Sequence, residues 1–448
     1  MRDQEVTSTE IEKAIQLGRD SQRHWGTLTH KERGRTLLEL GRQLEDRADD
    51  LMVVILEDTG KPRLEALSSE LLSVIELLRY YSKNSARILK PRRIGISTMV
   101  PHKVSKKVFL PLGVVGIISP WNFPFSIPMG ETLTALFAGN SVILKPSECT
   151  PKISHWIKEF FAKSPLPENL VQVFEGAVDT GRALVSSSVD KILFTGSVET
   201  GRKIGAACAQ VLKPCSLELG GKDAMIICAD ADLDFAVAGA CWGSMMNSGQ
   251  ACASVERILV HESISDEFLT RFKQGLQNLR QKNTSLTSEA TDLGRIIAER
   301  QRLVYEDQLA ELQENREKIL TGGELSEEGT SLQPTLVLCD GSERVWKEES
   351  FGPIVGLRTF QSEDEAVQMA NDSAYGLLSS VWSKDESRAR DLSLRLEAGT
   401  ILINDCIYTH AVPETPWFGV KTSGYGAPVH GEEGLLSLVQ MRHIHYDL

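Results

Sequence analysis

Apolar residues over the first ninety positions recur at helical spacing. Leucines lie among charged residues over 33–51, and 68–81 shows the same arrangement, so both segments are predicted to be amphipathic helices. The run from Asp58 to Pro62 interrupts the pattern with glycine and proline and predicts a turn. Residues 8–90 are therefore expected to be mostly helical.

From residue 111 to 230, short apolar runs alternate with helix-like segments. The runs predicted to be strands are 114–118, 141–144, 170–174, 191–194 and 224–228. Helices predicted over 128–138 and 151–162 separate several of them, and this alternation is typical of an α/β fold with a doubly wound parallel sheet. A second alternating α/β region continues to about residue 425, with loops predicted at 282–290 and 322–331.

Two short polar and basic runs, 92–100 and 103–110, flank Pro101 and predict a β-hairpin. Residues 440–448 are predicted to form another amphipathic strand. A hairpin with few apolar residues of its own needs a partner surface. We therefore predict that 91–110 and 426–448 form a small β element for homo-oligomerisation, with a surface hairpin as the alternative.

Composition narrows the class of protein. The chain has 448 residues, 41% of them hydrophobic, and a net charge of −12 without a block of Lys or Arg, which argues against nucleic acid as a partner. No apolar run approaches the roughly 18 residues of a membrane helix, and the polar start lacks a signal peptide. Eight cysteines without a CxxC pair favour reduced thiols and a cytoplasmic location, and nine histidines without a ligand pattern predict no metal site.

One cysteine has a local sequence that suits a nucleophile. Asp232 is a predicted N-cap of a helix that ends near Asn247-Ser-Gly249, and a strand begins near Arg257. Cys252 then lies in a tight helix-to-strand connection between small residues, where a substrate can approach the thiol. The alternative is a small buried hydrophobe, which is the more common role of cysteine.

Polar residues and glycines, together with Pro120 and Trp121, follow the predicted strands, where ligands bind in such sheets. They are Ser119, Pro120, Trp121, Lys145, Ser147, Glu148, Gly176, Gly196 and Ser197. The GxGxxG and Walker patterns are absent, but the Gly196-Ser197 turn before a helix suits a pyrophosphate. Glu148 can accept ribose hydroxyls and would repel a 2′-phosphate, which favours NAD over NADP. The alternatives are a packing turn and a surface Lys–Glu pair.

Two further side chains suit acid–base and electrostatic chemistry. Glu218 lies among apolar residues before a Gly-Gly pair, and a carboxylate in such surroundings is poised as a general base. Prolines on both sides of Asn122 hold its amide in place, so it suits an oxyanion. A satisfied buried Glu and an Asn that completes a turn are the alternatives.

Taken together, the chain resembles the aldehyde dehydrogenase superfamily over nearly its whole length. The resemblance rests on Pro120-Trp-Asn-Phe-Pro124, Lys145-Pro-Ser-Glu148, Phe194-Thr-Gly-Ser197, Leu217-Glu-Leu-Gly-Gly-Lys222, Asn247-Ser-Gly-Gln-Ala-Cys252, Glu349-Ser-Phe-Gly-Pro353 and Gly419-Val-Lys-Thr-Ser-Gly424. It implies that Cys252 attacks an aldehyde, that Asn122 and the Cys252 N–H hold the oxyanion, and that Glu218 activates water against the thioester.

The same resemblance assigns the cofactor residues and the domains. Glu349 would hold the nicotinamide ribose, Phe351 would pack near the ring, and Leu219 and Gly220 join the strand-end residues in binding NAD. The implied organisation is an NAD-binding domain of 1–90 and 111–220, a catalytic domain of 221–425, and the β element of 91–110 and 426–448.

The chain departs from the family pattern in three places. Glu131 occupies a position where many relatives have Lys, Gln440 replaces a Glu near the C-terminus, and Trp417-Phe418 precedes Gly419 where Gly-Gly is common. The first two departures leave the route of the proton from Glu218 open.

The substrate is predicted from apolar residues to be a medium-chain aliphatic or aromatic aldehyde. The residues proposed to line an apolar funnel are Phe123, Ile127, Met129, Trp242, Met246, Tyr408 and Trp417. A semialdehyde is less favoured because Gly130 replaces an Arg that carboxylate-binding relatives often have, although Arg202 and Arg257 keep it open. The pattern is also compatible with a CoA-acylating enzyme or a catalytically silent homologue, but the retained Glu218 argues against the first and the complete catalytic trio against the second.

Overall fold

The structure, a computed structural model, describes residues 6–100, 102–281, 291–407 and 412–447. The α-helices are α1 (Ser8–Thr27), α2 (His30–Asp46), α3 (Ala48–Thr59), α4 (Arg63–Glu65), α5 (Ser73–Ile88), α6 (Ser126–Ala138), α7 (Pro151–Ala162), α8 (Val178–Ser186), α9 (Val198–Gln210), α10 (Leu233–Met245), α11 (Ser265–Asn278), α12 (Glu299–Leu312), α13 (Arg344–Lys347), α14 (Glu363–Asn371), α15 (Glu386–Ser393) and α16 (Gly431–Leu436). None of the described helices is long and apolar enough to cross a membrane.

The strands form three sheets. They are β1 (Arg92–Ile94), β2 (Lys103–Pro111), β3 (Val114–Ile118), β4 (Ser141–Lys145), β5 (Val171–Val173), β6 (Lys191–Thr195), β7 (Cys215–Glu218), β8 (Asp223–Ile227), β9 (Val255–His261), β10 (Ile319–Thr321), β11 (Thr335–Leu338), β12 (Ile354–Phe360), β13 (Leu378–Trp382), β14 (Thr400–Ile403), β15 (Gly424–Tyr425) and β16 (Val439–Asp447).

The first sheet has the order β15-β7-β6-β3-β4-β5 and is parallel except for β15. Successive residues along the central strand β3 face two different hydrophobic cores. Val114 and Ile118 pack with α1, α8 and α9, whereas Val115 and Ile117 pack under α2, α3, α5, α6 and α7. Helices therefore cover both faces, which confirms the predicted doubly wound sheet.

The second sheet has the order β10-β11-β12-β9-β8-β13-β14, and only its β10–β11 pair is antiparallel. The run 224–228, grouped above with the strands of the first region, belongs here as β8. Its neighbours are β9 and β13, because the chain leaves the first sheet after β7 and crosses through Gly220 and Gly221. The proposed domain boundary at 220/221 falls on this crossing.

The third sheet joins β1, β2 and β16 and so unites the predicted hairpin with the C-terminal strand. β16 pairs with β2 along nine residues, whereas β1 contributes only three, so the hairpin is shorter than predicted. Met441, Ile444 and Tyr446 on β16 are exposed.

The N-terminal helices differ from the prediction in two details. The segment 33–51 is not one helix, because Arg47 adopts φ −105° and ψ 16° and separates α2 from α3. The segment 68–81 begins with a π-helical turn, Ala66–Leu72, before α5 continues. The predicted turn at 58–62 is present, and Gly60 ends α3 in the left-handed region.

Candidate active site

The Cys252 loop has the predicted helix–turn–strand form. Asp232 caps α10, which ends at Met245, and β9 begins at Val255. Between them Asn247, Ser248 and Gly249 all have positive φ, of 53°, 55° and 68°. A Cβ on Gly249 would lie 2.2 Å from the carbonyl oxygen of Gly352, so only glycine allows this approach. The reversal leaves Cys252 partly exposed between buried alanines.

Asn122 is tied to the cysteine loop by backbone groups. Its side-chain nitrogen donates to the carbonyl of Gln250 at 3.1 Å, which uses one of the two amide hydrogens and leaves the other for a ligand. The backbone carbonyl of Asn122 accepts from the side-chain amide of Asn247 at 3.0 Å and from the Lys61 ammonium at 3.0 Å. The amide is therefore held beside the residues that precede Cys252.

A buried ion pair supports this arrangement from the N-terminal helices. Lys61 pairs with Glu70, and both side chains are at most 1% exposed. Glu70 also accepts from the backbone N–H groups of Phe125 and Ser126 at 3.1 and 2.7 Å, at the start of α6. Sequence reasoning missed this pair, because single charged residues in an amphipathic pattern resemble a solvent-facing side.

Glu218 ends β7 and is brought close to the cysteine loop. A Cβ on Gly221 would lie 2.4 Å from the carbonyl oxygen of Cys252, so the chain after Glu218 passes directly beside the thiol residue. Oε2 of Glu218 is buried and makes no hydrogen bond to any residue that the structure describes. Burial raises the pKa of Glu218 well above its usual value, and the neighbouring Glu131 raises it further.

The thiol of Cys252 is held in its protonated form by the same surroundings. Burial raises its pKa, and the carboxyl groups of Asp223, Glu349 and Glu218 add to the effect. A base is therefore needed to form the thiolate.

The predicted adenosine residues meet at the carboxyl ends of β4 and β5. Ser147, Glu148 and Gly176 line a cavity of about 950 Å³. The ammonium of the buried Lys145 lies 2.8 Å from a carboxylate oxygen of Glu148. Partial burial raises the pKa of Glu148, but the hydrogen bond and charge of Lys145 outweigh it, so the pKa is lowered and the carboxylate is ionised.

The predicted pyrophosphate residues lie at the start of α9. Ser197 is its N-cap and accepts from the N–H of Thr200, and Gly196 donates its N–H to the carbonyl of Glu218 at 3.0 Å. A helix N-terminus preceded by such a turn suits a phosphate group. Leu219, next to Gly220, packs against Gly201 and so holds α9 close to the sheet.

The remaining cofactor residues come from two places, the loop that carries Glu349 and Phe351 and the segment that follows β3. Glu349 accepts from the N–H of Gly221 at 2.8 Å, and burial, followed by the charge of Glu256, raises its pKa to about 8. The ring of Phe351 meets that of Trp121 edge-on, with 5.4 Å between the centroids. Ser119 and Pro120 connect the end of β3 to Trp121.

A second buried ion pair, Lys222–Glu256, fixes the Glu349 loop. Both side chains are at most 2% exposed. Glu256 accepts from the N–H groups of Ser350 and Phe351 at 2.7 and 2.8 Å. Glu256 was missed, although a Glu inside the apolar strand β9 was a signal that could have found it.

Part of the predicted apolar funnel surrounds Cys252. Phe123, Ile127, Met246 and Trp417 belong to one cluster with it, together with Ala251, Ala253, Leu377, Leu378, Leu402, Ile407 and Val429. Met129 does not belong to it, because it points into the core beneath the N-terminal helices. Trp242 is 49% exposed and lies outside the cluster. Tyr408 lies outside the described residues.

The cationic candidates for a carboxylate-bearing substrate are not in this cluster. Arg257 donates to the backbone carbonyls of Lys222, Met369 and Ala370 and is buried. Arg202 is exposed on α9.

Gln440, which replaces the Glu of many relatives, is exposed on β16, where it pairs with Leu110.

Comparison with known proteins shows the family of this chain. The profile of the Aldehyde dehydrogenase family matches residues 2–444. The 4,4'-diapolycopene aldehyde oxidase of Methylomonas sp is 40% identical over 420 residues, which cover 92% of this chain and 77% of that protein. An NAD-dependent aldehyde dehydrogenase from Sinorhizobium meliloti has a similar structure, with a TM-score of 0.93, 31% identity and coverage of 99% and 88%.

Betaine aldehyde dehydrogenase from Staphylococcus aureus in complex with NAD+ superposes with a TM-score of 0.92, 31% identity and coverage of 99% of this chain and 88% of that one. The chain therefore belongs to the aldehyde dehydrogenase family and is an oxidoreductase. The predicted family, enzyme class and NAD cofactor are confirmed at this level. The cleft fits the cofactor, because the ionised Glu148 faces a cavity of suitable size and a capped helix N-terminus lies across the sheet from it.

Proposed function

We propose that this protein oxidises an apolar medium-chain aliphatic or aromatic aldehyde to the carboxylic acid with NAD, through a thioester on Cys252. The observation that carries the proposal is the convergence of three elements on one loop. Asn122 bonds to the backbone of Gln250, two residues before Cys252, and Gly221, three residues after Glu218, touches the Cys252 carbonyl.

The chemistry follows from the surroundings of these side chains. The proton of the Cys252 thiol passes to the Glu218 carboxylate as sulfur bonds to the aldehyde carbon. The resulting oxyanion accepts hydrogen bonds from the Asn122 amide and the Cys252 N–H. Bound NAD would supply the acceptor for the hydride of this carbon. Lys145, Ser147, Glu148, Gly176, Gly196, Ser197, Glu349 and Phe351 would hold it.

Release of the acid depends on Glu218. After the thiol proton has left Glu218 for solvent, its carboxylate takes a proton from water while the water oxygen bonds to the thioester carbon, and the bond between carbon and Cys252 sulfur breaks. The sulfur leaves as a thiolate, which regains a proton from solvent, and the acid is free. Because Oε2 of Glu218 has no hydrogen-bond partner in the described part of the chain, it can accept this proton without first losing a protein contact.

The decisive variant is Cys252→Ala, which should abolish NADH formation from every aldehyde tested. Cys241→Ala is the matched control, because Cys241 is also partly exposed and lies on the preceding helix α10. NADH formation by Cys252→Ala at the rate of the control would disprove the nucleophile.

The apolar cluster around Cys252 supports the substrate class. Phe123, Ile127, Met246 and Trp417 offer dispersion contacts and no charge to a substrate. An aldehyde panel would compare hexanal and benzaldehyde with betaine aldehyde and succinate semialdehyde. The highest kcat/KM is expected for the neutral aldehydes. Preference for the trimethylammonium compound would instead point to cation binding by the aromatic rings, and preference for the semialdehyde to an anion site.

The third sheet supports a homo-oligomer. Met441, Ile444 and Tyr446 expose apolar surface on β16, and Ile94 on β1 is also exposed. A second copy of the chain would cover this surface. Met441→Lys combined with Ile444→Lys should shift the mass measured by light scattering to that of a monomer; an unchanged mass would place the contact elsewhere.

A further inference from the structure

Glu131 is a buried carboxyl group without a cationic partner among the described residues. It lies on α6 and is 4% exposed. Its Oε1 accepts from the hydroxyl of Thr195 at 3.0 Å and its Oε2 from the hydroxyl of Ser119 at 3.3 Å. Both hydroxyl contacts favour the ionised carboxylate, but burial without a facing cation outweighs them and favours the protonated acid.

The position of Thr195 brings Glu131 to the base. Thr195 and Glu218 are register partners at the carboxyl ends of the parallel strands β6 and β7. Partners in neighbouring strands point to the same face of a sheet and lie roughly 5 Å apart. The Glu131 carboxyl is hydrogen-bonded to Thr195 on that face, and its charge raises the pKa of Glu218.

We propose that Glu131 is a positioning residue that shares a proton with Glu218 and passes the proton of each turnover through Thr195 to the cofactor cleft. The inference rests on the proposed role of Glu218 as the base. Glu218 takes a proton from water and passes it to Glu131, while the proton of Glu131 moves to Oγ1 of Thr195. The original hydroxyl hydrogen of Thr195 then leaves to solvent. Glu218 is again ionised, Glu131 is again protonated and Thr195 is again a neutral hydroxyl.

The surroundings suit this exchange. The groups that face Glu131 and Glu218 are Ser119 after β3, Thr195 on β6 and the titratable Cys252 thiol on its loop. Burial raises the pKa of Glu131 to about 8, so this acid can gain and lose a proton near neutral pH. Thr195 is partly exposed, in contrast to both carboxyl groups, and provides the exit.

The kinetic test uses Glu131→Gln, which keeps the size of the side chain but not its proton. With NAD and hexanal, the first burst of NADH should remain, while steady-state kcat falls at least about tenfold. The pH profile of kcat should also change near pH 8, because the acid with a pKa of about 8 beside Glu218 is gone. An unchanged kcat and pH profile would overturn the proposal.

Thr195 supplies a second test if Glu131→Gln does not fold. Thr195→Val keeps the shape of the side chain and removes the hydroxyl, so kcat should fall with the burst retained. Thr195→Ser keeps the hydroxyl and should restore kcat. Equal kcat values for the two variants would overturn the exit route.

A measurement without cofactor separates this inference from the proposed function. Because the pKa of Glu131 is raised in the folded protein, its contribution to stability is present at low pH and is lost as pH rises through about 8. Glu131→Gln should remove that part of the pH dependence of urea unfolding, and identical dependence in both proteins would contradict a buried, proton-sharing acid. A wild-type protein without a Cys252-dependent burst would disprove the proposed function and, with it, the relay.

Discussion

Two kinds of buried carboxylate lie within this active site, and they differ in what faces them. Glu70 and Glu256 each face a buried lysine and accept backbone N–H groups of the loops that carry Asn122 and Phe351. Glu218 and Glu131 face no cation in the described part of the chain, and their pKa values are raised. A paired carboxylate is fixed in charge and can position a loop, whereas an unpaired one can change its charge and take part in chemistry.

Breaking one of the paired carboxylates should have the largest effect on the fold. Lys222→Met leaves Glu256 as an uncompensated buried charge and should reduce the free energy of unfolding by about 3–5 kcal/mol, measured by urea denaturation. Lys152→Met is the control, because it breaks an exposed pair with Glu57 and should cost less than about 1 kcal/mol. Equal losses in the two variants would show that the burial of the pair is unimportant.

Neutralising an unpaired carboxylate should affect turnover and leave the fold intact. Glu218→Gln should lower steady-state kcat by about a thousandfold, since general-base catalysis contributes on this scale. The burst of NADH should slow as well, because Glu218 also takes the proton of the Cys252 thiol, and the unfolding midpoint should not fall. The control is Glu199→Gln on the exposed side of α9. Turnover that survives Glu218→Gln and is accelerated by CoA would show that water is not the acyl acceptor.

Glu349 is an intermediate case, because it accepts one backbone N–H but has no direct ion pair with any residue that the structure describes. Its pKa is about 8 in the folded protein, so its stabilising contribution is complete below its unfolded value of 4.5 and disappears as pH rises through 8. Glu349→Gln should therefore gain stability relative to wild type between these values, by an amount on the order of a few kcal/mol. Urea unfolding at several pH values measures it, and a constant difference would contradict the raised pKa.

The smallest effect is expected at the Lys145–Glu148 pair, in which only the lysine is buried. Glu148→Gln removes the charge of the exposed partner but keeps an oxygen that can accept from Lys145, so the free energy of unfolding should fall by less than the roughly 3–5 kcal/mol expected for Lys222→Met. It should nevertheless weaken the preference for NAD, because a 2′-phosphate no longer meets a carboxylate. The ratio of kcat/KM values with NAD and NADP measures this, and an unchanged ratio would show that Glu148 does not read the ribose.

The sequence predicted the strand ends well, because turns, glycines and polar residues stand out after apolar runs. It could not assign 224–228 to the correct sheet, since both sheets are built from parallel, buried strands with the same apolar pattern. Lys61, Glu70 and Glu256 were missed for another reason. A single charge in a helix or strand shows its role only when the distant partner is known, and Lys61 and Asn122 are 61 residues apart.

The crossing at Gly220 and Gly221 limits how far the active site can open. The base ends a strand of one sheet, and Asp223 begins the other sheet five residues later. A fully extended chain of this length reaches roughly 17 Å. The segment therefore acts as a short tether. If the cleft widens to admit or release a dinucleotide, rotation about these two residues can swing the sheets apart at their far edges while the base and the thiol remain neighbours.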